Sequence, residues 1–385
     1  MKILLLDAEF RRSLGCAASL RMFGFDVTFM FLGNKNEPIR ERKVYIDSGS
    51  FDVKFVQIDT PKLLQSIIHP QIFIPYEILS EKFDVVITTQ SVPFYIARYI
   101  ARKQGIPIIL RLGSARVNKL FDRIIYGRNY LEIITFIPSI FHNLLQIWNS
   151  QALIALDDAT MSFLRKLPLF KKVNIIYPTY SALYSDNDYE KSYKIKELIG
   201  KKPYIFSIVT MSRTGSNFRL QEKPLFKILY TIARKCPEVN VVIAGGTSSE
   251  ARRKFGLFRI PKNLIFVGSI SSDSVLKVLY DHASLIVIPI FFKSVSNRLL
   301  EALYYGKPIL TNNTAKIIHN KLEHPHHVFI SDNYHEYPDI VGKLLKNEAL
   351  LEELALGAKR AYRSFFSARK CGLGMKHIIE SVISK

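Results

Sequence analysis

The stretch SVSNRLLEALYYGKPILTN, Ser294 to Asn312, reads as a loop, one amphipathic helix, a turn at Gly306 and a strand. It sets one carboxylate, Glu301, among Leu299, Leu300, Ala302 and Leu303. A buried carboxylate without a partner is costly, so Glu301 must either make a cap or a salt bridge, or accept hydrogen bonds from a ligand. The residues ahead of it, Ser294, Val295, Ser296 and Asn297, precede a helix N-terminus. Free backbone N–H groups and the helix dipole make such a place suitable for a phosphate or diphosphate anion. A second candidate, EHPHH with His324, His326 and His327, invites a metal reading. It lacks further Cys or acidic partners at ligand spacing, so it reads as a loop before the strand HVFISD.

These groups need elements to position them, and the apolar runs supply them. The first half alternates KILLLDAE, LGCAASLRMFG, DVTFMFLG, DVVITT, VPFYIARYIARKQG and IPIILRLG, then ALIALD and VNIIYP. After a polar stretch the alternation restarts with PYIFSIVTMS, PLFKILYTIARKC, VNVVIAGG, NLIFVGSI, SDSVLKVLYDHA, SLIVIPI, NRLLEALYYG and KPILTN. Continuous Val/Ile/Leu strands followed by helices mark parallel sheets covered on both faces. The 385 residues exceed one ordinary domain, and two cores are expected. The expected boundaries are residues 1–185 for a first Rossmann-like domain and 200–365 for a second, with a C-terminal helix, 366–385, crossing back to the first. Two doubly wound α/β domains of this kind would face each other across a cleft at the carboxyl ends of their strands.

Composition narrows the function. The formal net charge of +21 implies anionic partners, but no helix-turn-helix, RNP-type sheet or basic-aromatic block supports nucleic acid. The opening MKILLLDAEF meets Asp7 and Glu9 at once, so it reads as a buried strand rather than a signal peptide. No run approaches the roughly 20 apolar residues that span a bilayer. Cys16, Cys236 and Cys371 are far apart and fit a reducing compartment, so a cytoplasmic location is expected.

LLEALYYGKPIL resembles the LLEAMAxGxPVI signature of GT-B-fold glycosyltransferases, in particular glycosyltransferase family 4, the retaining nucleotide-sugar-dependent enzymes. The resemblance covers most of residues 200 to 365 and, more loosely, the first half. It implies that Glu301 takes the ribose hydroxyls of the nucleotide and that Ser294 to Asn297 receive the sugar diphosphate. It also implies an Arg and a Lys that neutralise the leaving diphosphate. SIVTMSRTGSNFRLQEKPLFKIL offers Arg213 and Lys223 for these roles, with Arg219 as competitor for either and Gly215 to let the loop approach a ligand. VIAGGTS and FVGSIS stand where the family keeps small residues around base and ribose, which makes Gly245, Gly246, Gly268 and Ile270 candidates for close backbone approach. In the first domain, which carries the acceptor site in the family, Arg111 and Ser114 of RLGSARVNKL are candidates. The DAEFRRS turn adds Asp7, Arg11, Arg12 and Ser13. Arg111 would bind a phosphate or form an ordinary ion pair.

Two departures matter. Lys293 stands where the family commonly has a second glutamate, eight positions before Glu301, and no histidine follows the strand IPIILRLG. The expectation is therefore a retaining, hexosyltransferase-like enzyme moving a sugar to a glycan or polyprenyl-lipid-linked acceptor. The alternative is a catalytically inactive nucleotide- or glycan-binding partner subunit. No cofactor or metal is expected, because Arg and Lys take the metal's place and the DND of Asp186 to Asp188 falls in the linker. The segment 123–150, rich in Ile, Phe, Leu and Tyr and carrying Trp148, suits either helix core or a peripheral contact with an anionic membrane at its cytoplasmic face.

Overall fold

The computed structural model describes residues 1–33, 37–47, 49–113, 141–167, 173–183, 193, 195, 197–200, 202–213, 218–270, 272–293 and 295–384. Ser114, Gly215, Ser294, the Asp186 to Asp188 stretch and residues 123–140 of the apolar segment lie outside them. The chain forms two compact units, Met1–Ala182 with Phe366–Lys385, and Leu183–Phe365.

The first unit is built on an eight-stranded sheet in the order β3-β4-β2-β1-β5-β6-β7-β8. Its strands are β1 Lys2–Asp7, β2 Asp26–Gly33, β3 Glu37–Ile46, β4 Gly49–Asp59, β5 Val85–Thr89, β6 Ile108–Leu112, β7 Ala152–Ala155 and β8 Val173–Ile175. All neighbours pair in parallel except β3 and β4, an antiparallel hairpin at the edge. The alternation of apolar runs does not foretell that hairpin, because β3 carries charges in succession from Arg40 to Lys43 and β4 adds Asp52, Lys54 and Asp59. The central strands are buried on both faces: Ile3, Leu4, Leu5 and Leu6 are inaccessible, which is why they read as unbroken apolar runs. The helix Val92–Gln104 buries Phe94, Ile96, Ala97, Ile100 and Ala101 into the same core as Leu4, Val86 and Leu110.

The last helix, Ala368–Ile383, packs along Phe10–Met22 in the first unit. A Cβ at Gly372 would stand 2.5 Å from the carbonyl oxygen of Ser19, so glycine is what lets the two backbones approach. Cys16 and Cys371 touch at this crossing.

The second unit is an all-parallel six-stranded sheet, β11-β10-β9-β12-β13-β14. Its strands are β9 Tyr204–Ile208, β10 Asn240–Ala244, β11 Leu264–Phe266, β12 Leu285–Val287, β13 Ile309–Thr311 and β14 Phe329–Ile330. The chain enters at the centre with β9, builds outward through β10 and β11, then returns to the other side of β9 to lay down β12, β13 and β14. The strand order therefore reverses between β9 and β12, and the loops leaving these two strands diverge around a crevice, where open α/β sheets bind ligands. Among the described residues no helix is long and apolar enough to cross a membrane.

Two glycines in helices test this packing in opposite directions. Gly372→Val is expected to destabilise the protein by about 1–3 kcal/mol through the clash with Ser19. Gly342, in the helix Tyr337–Leu345, has nothing within 4 Å of a built Cβ, so Gly342→Ala is expected to stabilise by about 0.5–1 kcal/mol. Urea unfolding of the two variants beside the parent measures both.

Candidate functional site

The crevice of the second unit is organised around a carboxylate that the sequence reading passed over. Glu222, the last residue of a π-helical turn Phe218–Glu222, is wholly inaccessible. Its Oε1 accepts from Arg213 Nη1 at 2.7 Å and from Arg298 Nη2 at 2.7 Å. Its Oε2 accepts from Arg298 Nη2 at 3.0 Å and from the backbone N–H of Thr210 at 2.9 Å. Arg298 also donates to Thr210 Oγ1 at 3.1 Å. One side chain thus joins the loop after β9, the turn before the helix Lys223–Lys235, and the first turn of the helix Asn297–Tyr304.

Charge at this junction does not cancel. Two guanidiniums face one carboxylate, and the next residue, Lys223, is exposed at the start of its helix. Arg298 is mostly buried, whereas the Arg213 side chain is 48% exposed, so Arg213 is tethered at one end and open to solvent at the other. Lys254, on the helix Ser248–Phe255, brings a further cation to the loop after β9: it donates to the carbonyls of Met211 and of Arg213, the latter at 2.9 Å, with its ammonium 4.6 Å from the Phe218 ring centroid. Arg219, the competitor, is exposed on the π-helical turn.

The helix Asn297–Tyr304 carries the opposite function. Ser296 caps it, accepting from Leu299 N–H at 3.3 Å, and Val295 is buried just ahead of it. Asn297 and Glu301 are four residues apart and so share one face, while Arg298 turns to Glu222. Asn297 Oδ1 is buried without a hydrogen-bond partner. Glu301 is 5% exposed and accepts from the hydroxyl of Tyr280 at 3.2 Å. Burial, then the Glu301 charge, pushes the Tyr280 phenol well above its ordinary range, so Tyr280 stays a donor. The ring of Tyr280 stacks on Tyr305 at 4.7 Å, which fixes the hydroxyl. Lys293 is exposed on the loop before the helix.

That loop is clamped from both sides by amides absent from the sequence reading. Gln221 donates to Pro289 O at 3.2 Å and accepts from Phe291 N–H at 3.0 Å. Asn312, at the end of β13, accepts from Ile290 N–H at 2.9 Å and donates to Ile290 O at 2.8 Å.

The glycines behave differently from one another. Gly245 has φ of +100°, and a Cβ there would lie 2.5 Å from Val209 O; at Gly246 it would meet Met211 Cγ at 2.0 Å. The close approach expected at these two positions is made by the protein's own Val209–Met211 segment, seated over the end of β10. Gly268, with φ of +75°, has open space around it and accepts from Gly245 N–H at 2.7 Å. Ile270 is half-buried. All four lie on the β10–β11 side of β9, away from the Glu301 side.

In the first unit two of the candidate residues, Arg111 and Ser13, are engaged with Asp7. Arg111 is 2% exposed; its Nη1 donates to Ser13 Oγ at 3.0 Å and sits 3.7 Å from Asp7 Oδ2. Ser13 in turn donates to Asp7, and Thr89 Oγ1 donates to Asp7 Oδ1 at 2.8 Å. Arg111, Ser13 and Asp7 therefore satisfy one another inside the sheet's end, and Arg111 is the ion pair rather than the phosphate ligand. Arg12 pairs with Glu9 at 3.1 Å, and Arg11 accepts from Ser181 Oγ through its backbone carbonyl at 3.0 Å. Beside them Asp157 caps the helix Asp158–Arg165, accepting from Thr160 N–H at 2.6 Å. Burial pushes its carboxyl up to about 7, against the lowering effect of the Thr160 N–H. The histidines of EHPHH serve the loop: His327 Nδ1 accepts from Glu323 N–H at 3.2 Å and His324 Nδ1 from Ile330 N–H at 3.1 Å.

Comparison with known proteins agrees with this architecture. Residues 208–347 match the family model described as glycosyl transferases group 1. No curated protein matches the sequence. Among solved structures, sucrose-phosphate synthase from Thermosynechococcus elongatus superposes with a TM-score of 0.71 at 12% identity, covering 100% of this chain and 99% of that one. HepE of Anabaena in complex with UDP and glucose gives 0.64 at 13% identity, covering 99% and 100%. An Escherichia coli trehalose-6-phosphate protein bound with UDP-2-fluoro glucose gives 0.60 at 11% identity, covering 100% and 99%. The chain has the GT-B fold.

Two outcomes follow from the side-chain geometry. Glu222→Ala leaves Arg298 without its carboxylate and is expected to cost about 3–5 kcal/mol in urea unfolding, whereas Arg213→Ala, removing a half-exposed partner, costs less than about 1 kcal/mol. Asp157 has a folded pKa raised above its unfolded value, so its contribution to stability is fully present below about pH 4 and is lost as pH rises through about 7. Asp157→Asn keeps a capping side chain and is expected to flatten that part of the stability profile, read from thermal melts across the range.

Proposed function

We propose that the chain is a glycosyltransferase that binds a nucleotide-sugar in its second unit. It transfers the sugar, with retention of anomeric configuration, to a hydroxyl of a glycan or polyprenyl-lipid-linked acceptor. The observation that carries the reading is the switch-point cluster. Arg213 is held by Glu222 yet half open to solvent, next to a capped helix N-terminus that bears Asn297 and Glu301 on one face. The match of residues 208–347 to glycosyl transferases group 1 and the UDP and glucose held by the HepE structure support the same class of donor.

Each residue has a part. The donor's diphosphate lies against the first turn of the helix Asn297–Tyr304, where backbone N–H groups point at an anion. Glu301 accepts from the ribose hydroxyls, with Tyr280 holding the carboxylate in place. As the bond between the anomeric carbon and the phosphate oxygen breaks, negative charge grows on that oxygen. Arg213 and Lys223 stabilise it, a preorganised electrostatic effect. The acceptor hydroxyl attacks from the face the phosphate leaves, and the departing phosphate oxygen takes its proton. The fixed cations do what a metal would otherwise do, so the reading requires no metal or other cofactor. Nucleic acid plays no part in it, and the enzyme works at the cytoplasmic face of a membrane, where a lipid-linked acceptor is presented.

Lys293 favours one rival. An exposed cation stands where the family commonly has a glutamate, and a non-catalytic partner subunit that only binds nucleotide would tolerate it. Incubating the purified protein with UDP-glucose separates the two, since the enzyme releases UDP and the partner subunit binds without turnover.

The donor site is tested by thermal shift with UDP and UDP-glucose. A ligand at 100 times its Kd is expected to add about 2.7 kcal/mol of stability. Glu301→Ala is expected to weaken UDP binding by a factor corresponding to about 1.5–3 kcal/mol, the worth of hydrogen bonds to a charged group. A folded Glu301→Ala protein that responds to UDP like the parent would remove Glu301 from the site.

A further inference from the structure

Two helices of the first unit hold large apolar side chains outward. The helix Leu63–Ile68, LLQSII, buries only its serine, Ser66. Leu64 on it is 67% exposed, and the residues that follow, Ile72 and Tyr76, are 71% and 80% exposed. Residues 141–148, FHNLLQIW, form a helix that turns Asn143 and Gln146 inward while Phe141, Leu145 and Trp148 stand 65%, 52% and 66% exposed. The spacing of those three, i, i+4 and i+7, is one helix face. Gln146 accepts from Ser91 N–H at 3.1 Å, and the Tyr95 hydroxyl meets the His142 ring at 2.6 Å. The side that carries Gln146 and the core residue Ile147 is thus pinned to the helix Val92–Gln104, and the face of Phe141, Leu145 and Trp148 is left outward.

The two exposed faces belong to one surface. Ile67 and Leu145 line the same 260 Å³ cavity over Tyr95 and Arg98. Trp148 lines the next cavity with Arg98, Arg102 and Ile383. Its carboxylate, Asp84, accepts from the backbone N–H of Lys2. Cations rim the apolar residues: Arg98 and Arg102 between the faces, Lys62 ahead of LLQSII and Lys103 exposed at the end of its helix.

We infer that this surface docks the protein on an anionic lipid bilayer, with Leu64, Ile68, Ile72, Phe141, Leu145 and Trp148 entering the headgroup–acyl boundary. The chemistry is that of a helix lying in an interface, with apolar and aromatic groups to one side and Lys and Arg reaching anionic headgroups. Tyr76 and Trp148 combine an apolar body with a polar tip, which suits the same depth. The net charge of +21 favours an anionic partner over a neutral one. The inference gives residues to the membrane-facing part of the proposed function and rests on that part, not on sugar transfer.

Co-sedimentation of the full chain with vesicles tests it, using phosphatidylcholine alone and phosphatidylcholine mixed with phosphatidylglycerol, without donor or acceptor. The parent is expected to partition onto the mixed vesicles, less so as salt rises. Leu64→Glu/Ile68→Glu/Ile72→Glu and, separately, Trp148→Glu are expected to lose about tenfold or more in partition. All of these positions are solvent-facing, so the thermal melt and the UDP response stay as in the parent. Equal partition of parent and variants, or no partition of the parent, overturns the surface. So does a concentration-dependent dimer, without vesicle binding, that the same substitutions dissolve. Vesicle binding without turnover of UDP-glucose would count against the enzyme alone.

Discussion

The second unit depends on one buried carboxylate shared by two guanidiniums. Glu222 has no access to water, and it is tolerable there only because Arg298, Arg213 and the Thr210 N–H supply its hydrogen bonds. A buried ion pair is weak evidence for net stability, because desolvation offsets the attraction. What the arrangement does provide is position. Three segments that diverge at the reversal of strand order, between β9 and β12, are fixed to the same pair of oxygen atoms.

That constraint has an electrostatic consequence. A carboxylate near a phosphate site would by itself repel the ligand, but Glu222 is enclosed by cations and turned away from solvent. On the solvent side stand the half-exposed Arg213, Lys223 exposed at the start of its helix and the positive end of a helix. Glu301, the second carboxylate, stands a turn further along that helix, where hydroxyl groups rather than phosphates would meet it. In the proposed donor site, separation along one helix, about 1.5 Å of rise per residue, would give the sugar and phosphate portions of a nucleotide opposite surroundings. Gln221 and Asn312 hold the connecting loop by its backbone, so the helix start is set by hydrogen bonds as well as by its Ser296 cap.

Much of this was legible in the chain, for identifiable reasons. Buried parallel strands must be continuously apolar, so runs such as KILLLD and VNVVIA announce themselves. The block around Glu301 is readable because a charged residue within a buried helix face demands a purpose. Glu222 was not readable: in QEKPLF it looks like one solvated charge among several, and only tertiary structure brings Arg298 to it from 76 residues away. Arg111 stayed open between two readings for the complementary reason, since a strand-end arginine facing an empty crevice and one facing a buried aspartate look alike in sequence. Gly245 and Gly246 signalled a close approach to a ligand, and the group that lies against them is the segment Val209–Met211. The helix at 141–148 shows a further limit: periodicity finds the apolar stripe, and which way the stripe faces is settled by tertiary contacts such as that of Gln146 with the Ser91 N–H.

The most direct measurement is a crystal structure of the protein with UDP bound. The account predicts the diphosphate against the first turn of the helix Asn297–Tyr304 within reach of Arg213, the ribose hydroxyls on Glu301, and the Glu222 contacts to Arg298 intact. UDP seated elsewhere on the second unit, or a ribose that leaves Glu301 with its present partners alone, would contradict it.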